Sequence, residues 1–283
     1  MTVLVPTSLA DALSALAAEP SALVLAGGTD LMVELNGGQR RPATVIAVNR
    51  VPELRSWSLD PQARTLRLGA GVTYDELLHE PLSGLLPALA QAARTVGSPQ
   101  IRHVATVGGN VGTASPAGDG LPVLAALDAV VHIVSAGGVR DVPFGEFIVG
   151  PKRTVLQSGE LIEAITVPLL NGWQGYAKVG VRNAMVIATA SACLAVDLDA
   201  GTLRLALGSV GPVIIRCGDA EGFAAEAADF TTGSASAEVV QRFADLAAAA
   251  ARPIDDHRST AAYRRHAIGV LAGRLLRRAF PHE

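Results

Sequence analysis

Short apolar runs broken by glycine pairs set the pattern of the first half of the chain. Ser8 precedes Leu9, Leu13 and Leu16, whose i, i+4, i+7 spacing predicts a helix with Ser8 as its N-cap. A buried strand is expected over 22–25, ending at the glycines of Ala26-Gly-Gly-Thr-Asp-Leu-Met32. After a polar break at 36–42, Thr44–Val48 reads as a second buried strand, which gives a β-α-β arrangement. From about Leu54 the period shortens to two: residues 64–68 alternate as a strand and lead into Gly69-Ala-Gly-Val-Thr-Tyr-Asp-Glu-Leu-Leu78. There Thr73 and Glu76 have the spacing of a capping box, so a helix is expected from Tyr74. A helix over 86–96 should end at Gly97, and Thr106-Val-Gly-Gly-Asn110 again runs a β-branched residue into paired glycines. A helix at 122–127 and strands near 129–134 and 161–167 follow.

The turn Asn171-Gly-Trp-Gln-Gly175 marks the expected domain boundary, dividing the chain into residues 1–173 and 174–283. Beyond it, residues 191–198 and 202–207 alternate as a hairpin turning through Asp199-Ala-Gly201. The rest is alanine-rich, with helices expected near 219–229, 236–251 and 259–280.

Composition narrows the class. With 49% apolar but only 4% aromatic residues among 283, the interior must be built mainly of Ala, Val and Leu. The mean hydropathy is +0.35, yet no stretch reaches the ~18–20 uninterrupted apolar residues of a membrane span. Even 121–134 carries Asp128 and His132, and the N-terminus lacks a basic leader and is broken by Pro6. A soluble, cytoplasmic protein, not integral to a membrane, is expected. A net charge of -3 offers no basic footprint for nucleic acid. Arg264, Arg265, Arg274, Arg277 and Arg278 read as a solvated face or protein contact of the last helix. Cys193 and Cys217 form no metal-binding motif, so any iron-sulfur cluster must come from elsewhere.

The glycine turns carry the candidate chemistry. A strand ending in such a turn can present unpaired backbone N–H groups, and two such turns could hold two phosphates. The competing reading is that each pair merely makes a turn. A dinucleotide fingerprint is poorly supported, because Gly69-Ala-Gly71 lacks the third glycine, and no P-loop is present. Asp255-Asp-His257 reads as a helix-start turn rather than a metal cluster, and Trp57 and Trp173 as packing or boundary residues.

Ala26–Met32, Ala70–Leu78 and above all Gly97–Ala129 resemble the FAD-binding medium subunit of the xanthine dehydrogenase and carbon monoxide dehydrogenase family of molybdenum hydroxylases. The resemblance continues in order through 159–168, 176–182 and 253–266. It implies an α+β protein: an FAD-binding domain of the type shared with vanillyl-alcohol oxidase and p-cresol methylhydroxylase (PCMH), made of two α/β subdomains. A small α+β C-terminal domain, an antiparallel sheet with helices, would follow.

The same resemblance implies that the two glycine turns clasp the FAD pyrophosphate. It assigns Ala26, Gly27, Gly28, Thr29, Asp30 and Leu31 to one side, and Thr106, Gly108, Gly109 and Asn110 to the other. Thr113, Ser115 and Asp119 continue along the cofactor, with Asp119 a candidate for the adenosine ribose and Lys178 for the isoalloxazine ring. Asp30 would repel a diphosphate, so its expected job is to accept from backbone or hydroxyl donors and fix the loop. No residue is assigned catalysis or a metal. A 2Fe-2S small subunit and a molybdopterin-binding large subunit are implied as partners, assembled as a dimer of heterotrimers. His103 stands where relatives commonly have Asn, and Val186 where many have a carboxylate. Two other readings stay open: a self-sufficient flavin oxidase or reductase of the same fold, and a non-catalytic assembly module.

Overall fold

The computed structural model describes residues 1–281. They form two compact units, Met1–Leu77 with Ser98–Ala114 and Ala129–Pro168, and Leu78–Gly97 with Ser115–Asp128 and the chain from Leu169 on. Two excursions, 78–97 and 115–128, thus join the second unit in addition to the crossing after Pro168.

The first unit holds a three-stranded parallel sheet in which Thr44–Ala47 lies between Thr2–Leu4 and Leu23–Leu25. The central strand is buried at all four positions, as a parallel strand covered on both faces should be. Ser8 caps the helix Leu9–Ala18 by accepting from the Asp11 amide at 3.1 Å. Its inner face packs Ala12 and Leu16 into a core with Ile46, Val51 and Leu54.

A second, antiparallel sheet runs Trp57–Asp60, Thr65–Gly69, Leu161–Pro168, Val130–Ser135, Gly138–Pro143. The central strand shifts register between Ile162 and Ala164. The bulge turns Glu163 outward to pair with Arg67 at 2.9 Å, while its carbonyl accepts from the Ala70 amide at 2.9 Å. Ala70 opens the segment that braces the second glycine turn, so this irregularity helps fix the site.

Two expectations are corrected here. The capping box forms, with Thr73 N–H donating to Glu76 Oε2 at 2.8 Å and Glu76 N–H to Thr73 Oγ1 at 3.2 Å. The helix does not propagate, however: only the 3-10 turn Glu76–Leu78 follows, with Pro81 unable to donate the next bonds. The second glycine pair does not end a strand but lies in the first turn of the helix Val107–Thr113, with Thr106 as N-cap.

The second unit is built on the antiparallel sheet Gln174–Val179, Ala190–Asp197, Thr202–Gly208, Ile215–Arg216. Asp197 Oδ1 accepts from the amides of Asp199 and Ala200, and Gly201 takes φ +60, which closes the expected hairpin. Helices Gly218–Ala227, Ala237–Ala250 and Ala261–Ala279 pack a core that includes Leu194, Leu205, Phe243, Ile268 and Leu275.

Of the five C-terminal arginines, Arg264 departs from the expected solvated face. It shares the inner stripe of its helix with Ile268, Leu271 and Leu275 and is 5% exposed. Its guanidinium donates to the carbonyls of Thr189 (2.9 Å) and Ser209 (2.8 Å) and to Asp256 (2.7 Å). The other four are exposed.

Candidate functional site

The first glycine turn follows the strand Leu23–Leu25. Gly28 takes φ +73, a left-handed conformation that reverses the chain and that a side chain would strain. Next comes the six-residue helix Leu31–Asn36, whose bonds start with Met32 N–H to Gly28 O at 3.0 Å. The amides of Gly27, Gly28, Thr29, Asp30 and Leu31 find no acceptor among the described residues. Such a run of unsatisfied donors suits an anion, because each amide needs a partner and a phosphate oxygen supplies several at once.

Asp30 precedes the short helix but makes no side-chain cap bond, and its partner is neither backbone nor hydroxyl. Lys152 Nζ lies 3.5 Å from Asp30 and 2.7 Å from Glu34. The hydrogen bond from Lys152 holds the Glu34 carboxyl below the usual carboxylate range, and that same bond raises the lysine. Sequence reasoning missed Lys152. It arrives from the tip between Ile148–Gly150 and Arg153–Thr154, placed by its amide bond to Ala114 O at 3.0 Å, and nothing local to residue 30 announces it.

The second turn differs in kind. Val107 N–H donates to Val72 O (2.9 Å), Gly108 N–H to Ala70 O (2.8 Å) and Asn110 N–H to Thr106 O (3.0 Å). Gly109 N–H donates to Thr106 Oγ1 at 3.0 Å. The expectation of two bare main-chain turns is therefore corrected: the first presents a run of free amides, whereas the amides of Val107–Asn110 in the second are bonded and the Thr106 N–H alone lacks an acceptor among the described residues. The second is a capped helix start laced to residues 70–72, and the amides of Val107–Asn110 are consumed inside the unit. What it keeps is the Asn110 side chain, whose Oδ1 accepts from Tyr74 OH at 2.7 Å while Nδ2 finds no acceptor among the described residues.

Close packing explains two of the glycines. A Cβ at Gly27 would lie 1.7 Å from Val104 O, and one at Gly108 would lie 2.4 Å from Ala70 Cβ. Ala26 Cβ is 4.0 Å from the Cβ position at Gly109, so the first unit does bring Ala26 and Gly27 against Val104, Ala105 and Gly109. Thr113 ends the same helix, before Ala114 in a left-handed conformation. His103 pairs with Asp75 at 2.9 Å, a hydrogen-bonded role at an exposed position.

In the second unit, Asp119 and Lys178 form an ion pair at 2.7 Å with side chains 9% and 6% exposed. Tyr176 OH donates to the other Asp119 oxygen at 2.8 Å, and Lys178 also donates to Thr95 O at 3.2 Å. Burial raises the Asp119 carboxyl against the opposing pull of Lys178, and burial pushes the Tyr176 phenol well above its ordinary value, which keeps it a neutral donor. Ser115 accepts from the Ala117 amide at 3.4 Å. Val186 packs over Gly180, where a Cβ would come within 2.6 Å of it.

Comparison with known proteins decides the family. Residues 1–170 match the family described as the FAD binding domain in molybdopterin dehydrogenase, and residues 176–279 match the CO dehydrogenase flavoprotein C-terminal domain. The chain belongs to this family of flavoprotein subunits. It is 35% identical over 221 residues to a xanthine dehydrogenase FAD-binding subunit of Escherichia coli O157:H7, covering 76% of this chain and 75% of that one. It is 31% identical over 268 residues to the glyceraldehyde dehydrogenase medium chain of Sulfolobus acidocaldarius, covering 93% and 92%. Among solved structures it resembles carbon monoxide dehydrogenase from Hydrogenophaga pseudoflava with a TM-score of 0.87 and 29% identity, over 99% of this chain and 96% of that one.

Orphan amides at 27–31 and the Asn110 donors are what a diphosphate requires, so the residues present fit the FAD of this family. Among the described residues no group of three or more His, Cys, Asp or Glu could hold a metal, and no helix is long and apolar enough to cross a membrane.

Proposed function

We propose that this chain is the FAD-binding, electron-transferring subunit of a molybdenum hydroxylase complex. The observation that carries the reading is the run of five acceptor-less amides at 27–31, which begins at Gly27, packed against Val104 and Ala105, and follows Ala26, which lies beside Gly109. FAD held there would supply one- and two-electron chemistry, linking a partner 2Fe-2S cluster to an external acceptor. The chain's own residues bind and orient. The amides of Gly27–Leu31 donate to the diphosphate, Gly28 supplies the reversal that aligns them, and Asn110 adds side-chain donors. Lys152, held by Asp30 and Glu34, adds a nearby positive charge. Thr106 and Gly109 keep the second turn in shape through their cap bond. The assignments of Ala26, Gly108, Thr113, Ser115, Asp119 and Lys178 to the cofactor belong to the same proposal. Lys178 uses two of its three N–H donors on Asp119 and Thr95 O and keeps the third for a ligand.

The two cysteines of this chain, both buried, are too few for a 2Fe-2S cluster that needs four ligands. The reading therefore places that cluster on a small partner subunit and the molybdopterin on a large one, in a cytoplasmic dimer of heterotrimers.

The test is to purify the full chain, load it with FAD, and mix it with its reduced iron-sulfur partner. Retained flavin that is reduced only when the partner is present supports the reading. Failure to retain flavin favours an assembly module, and unaided turnover of a substrate favours a self-sufficient oxidase; either overturns it.

A further inference from the structure

The segment Ala70–Leu78 is rich in specific residues, yet none of them is assigned to the cofactor. In the structure it acts on the second turn. Val72 O and Ala70 O take the amides of Val107 and Gly108, Tyr74 N–H donates to Ala105 O at 3.0 Å, and Thr73 bridges Thr106. These bonds, with the cap bond of Gly109, set the backbone and consume the amides of Val107–Asn110, so what those four residues offer a ligand must come from side chains.

Asn110 is the side chain in position to offer it. A carboxamide has an acceptor end and a donor end and can be turned either way unless a neighbour decides. Here the neighbour is Tyr74, a ring 2% exposed whose hydroxyl, a stronger donor than acceptor, donates to Asn110 Oδ1 at 2.7 Å. With the oxygen committed to the phenol, both Nδ2 protons face away from Tyr74, and no described residue accepts them. The orientation matters because the opposite one would turn a carbonyl oxygen toward an anion. Adjacent Gly109 lies against Ala26, the residue that precedes the run of orphan amides.

From this arrangement we infer that Tyr74 is a positioning residue for the cofactor: its buried hydroxyl locks the Asn110 carboxamide in the donor-outward orientation that binds an anionic oxygen of the FAD diphosphate. The inference rests on the cofactor reading above and adds to it a residue that touches no cofactor atom.

A double-mutant cycle on the full chain tests it, with FAD affinity read by quenching of flavin fluorescence and fold by apo melting temperature. Removing one neutral hydrogen bond is worth about a three- to tenfold change in Kd. Tyr74→Phe should weaken FAD by that factor in the wild-type background and have no further effect in an Asn110→Ala background. Asn110→Asp keeps an acceptor for Tyr74 but replaces the donors with a carboxylate oxygen. It should lose more than tenfold in affinity with its melting temperature kept, and it serves if Tyr74→Phe does not fold. Equal loss from Tyr74→Phe in both backgrounds, no loss in either, or wild-type affinity for Asn110→Asp overturns the inference. A wild-type chain that takes up no FAD overturns the cofactor reading, and this inference with it.

Discussion

Replacing Gly27 with alanine separates two roles a glycine can have, because its constraint is space rather than conformation. A Cβ there would meet Val104 O at 1.7 Å, Val104 C at 2.5 Å and Ala105 Cα at 3.1 Å, all backbone atoms that cannot rotate away. Real Cβ contacts essentially never fall below 3.0 Å, so the first turn must withdraw from the second by at least about 1.3 Å. Overpacking of this kind costs ~1–3 kcal/mol, which lowers the melting temperature of the apo chain by about 2–4 °C per kcal/mol. The effect on the cofactor should be larger. A withdrawal of more than an ångström breaks at least one charge-assisted hydrogen bond worth ~1.5–3 kcal/mol, so Kd for FAD should rise about tenfold to a hundredfold. Equilibrium titration with FAD, run beside a melting curve, reads both quantities. Gly145→Ala is the control, since a Cβ there meets nothing within 4 Å. Gly27→Ala with a Kd within about twofold of wild type would refute the claim that contact between the turns shapes the binding edge.

Lys178→Met strips the counter-charge from buried Asp119 and should destabilise the apo chain by roughly 3–5 kcal/mol, whereas adding Asp119→Asn should recover most of it; denaturant titration of the three variants checks this. Glu160 accepts two bonds from Arg140 and one from the Gln157 amide, each at 2.7 Å, and chiefly the Arg140 bond holds its carboxyl below the ordinary value. Its stabilisation is full above the unfolded carboxylate pKa and is lost as pH falls through the depressed folded one, so Glu160→Gln should flatten the acid limb of a stability–pH profile. Burial pushes the Cys217 thiol up to about 12 and raises Cys193 further, so neither should react with a thiol reagent at pH 8 until denaturant is added.

Much of this protein can be read from its sequence where a local rule is strong. Ser8 and its i, i+4 leucines give a helix, Asp197 and Gly201 close a hairpin, and the long alanine-rich helices fall within a few residues of their periodic pattern. Where local and tertiary forces compete, the reading fails for identifiable reasons. The Thr73–Glu76 box forms without a helix, since its residues are held by pairing with 102–106. Val107-Gly-Gly resembles a strand end because of its β-branched residue, yet Thr106 caps a helix there. Arg264 looks like its exposed neighbours until a facing pair of carbonyls needs a donor. The site shows the same limit. The first glycine turn was legible as an anion cradle, but Lys152 comes from 122 positions beyond Asp30, and the excursions 78–97 and 115–128 into the second unit have no compositional mark.

In the proposed function the amides of Gly27–Leu31 hold the flavin diphosphate, while those of Val107–Asn110 are already bonded within the chain. Residue-resolved amide hydrogen exchange, with and without FAD, measures this directly. The five amides at 27–31 should exchange fast in the free chain and slow markedly with FAD, while those at 107–110 should be protected in both. Fast exchange at 27–31 that FAD leaves unchanged would contradict the account.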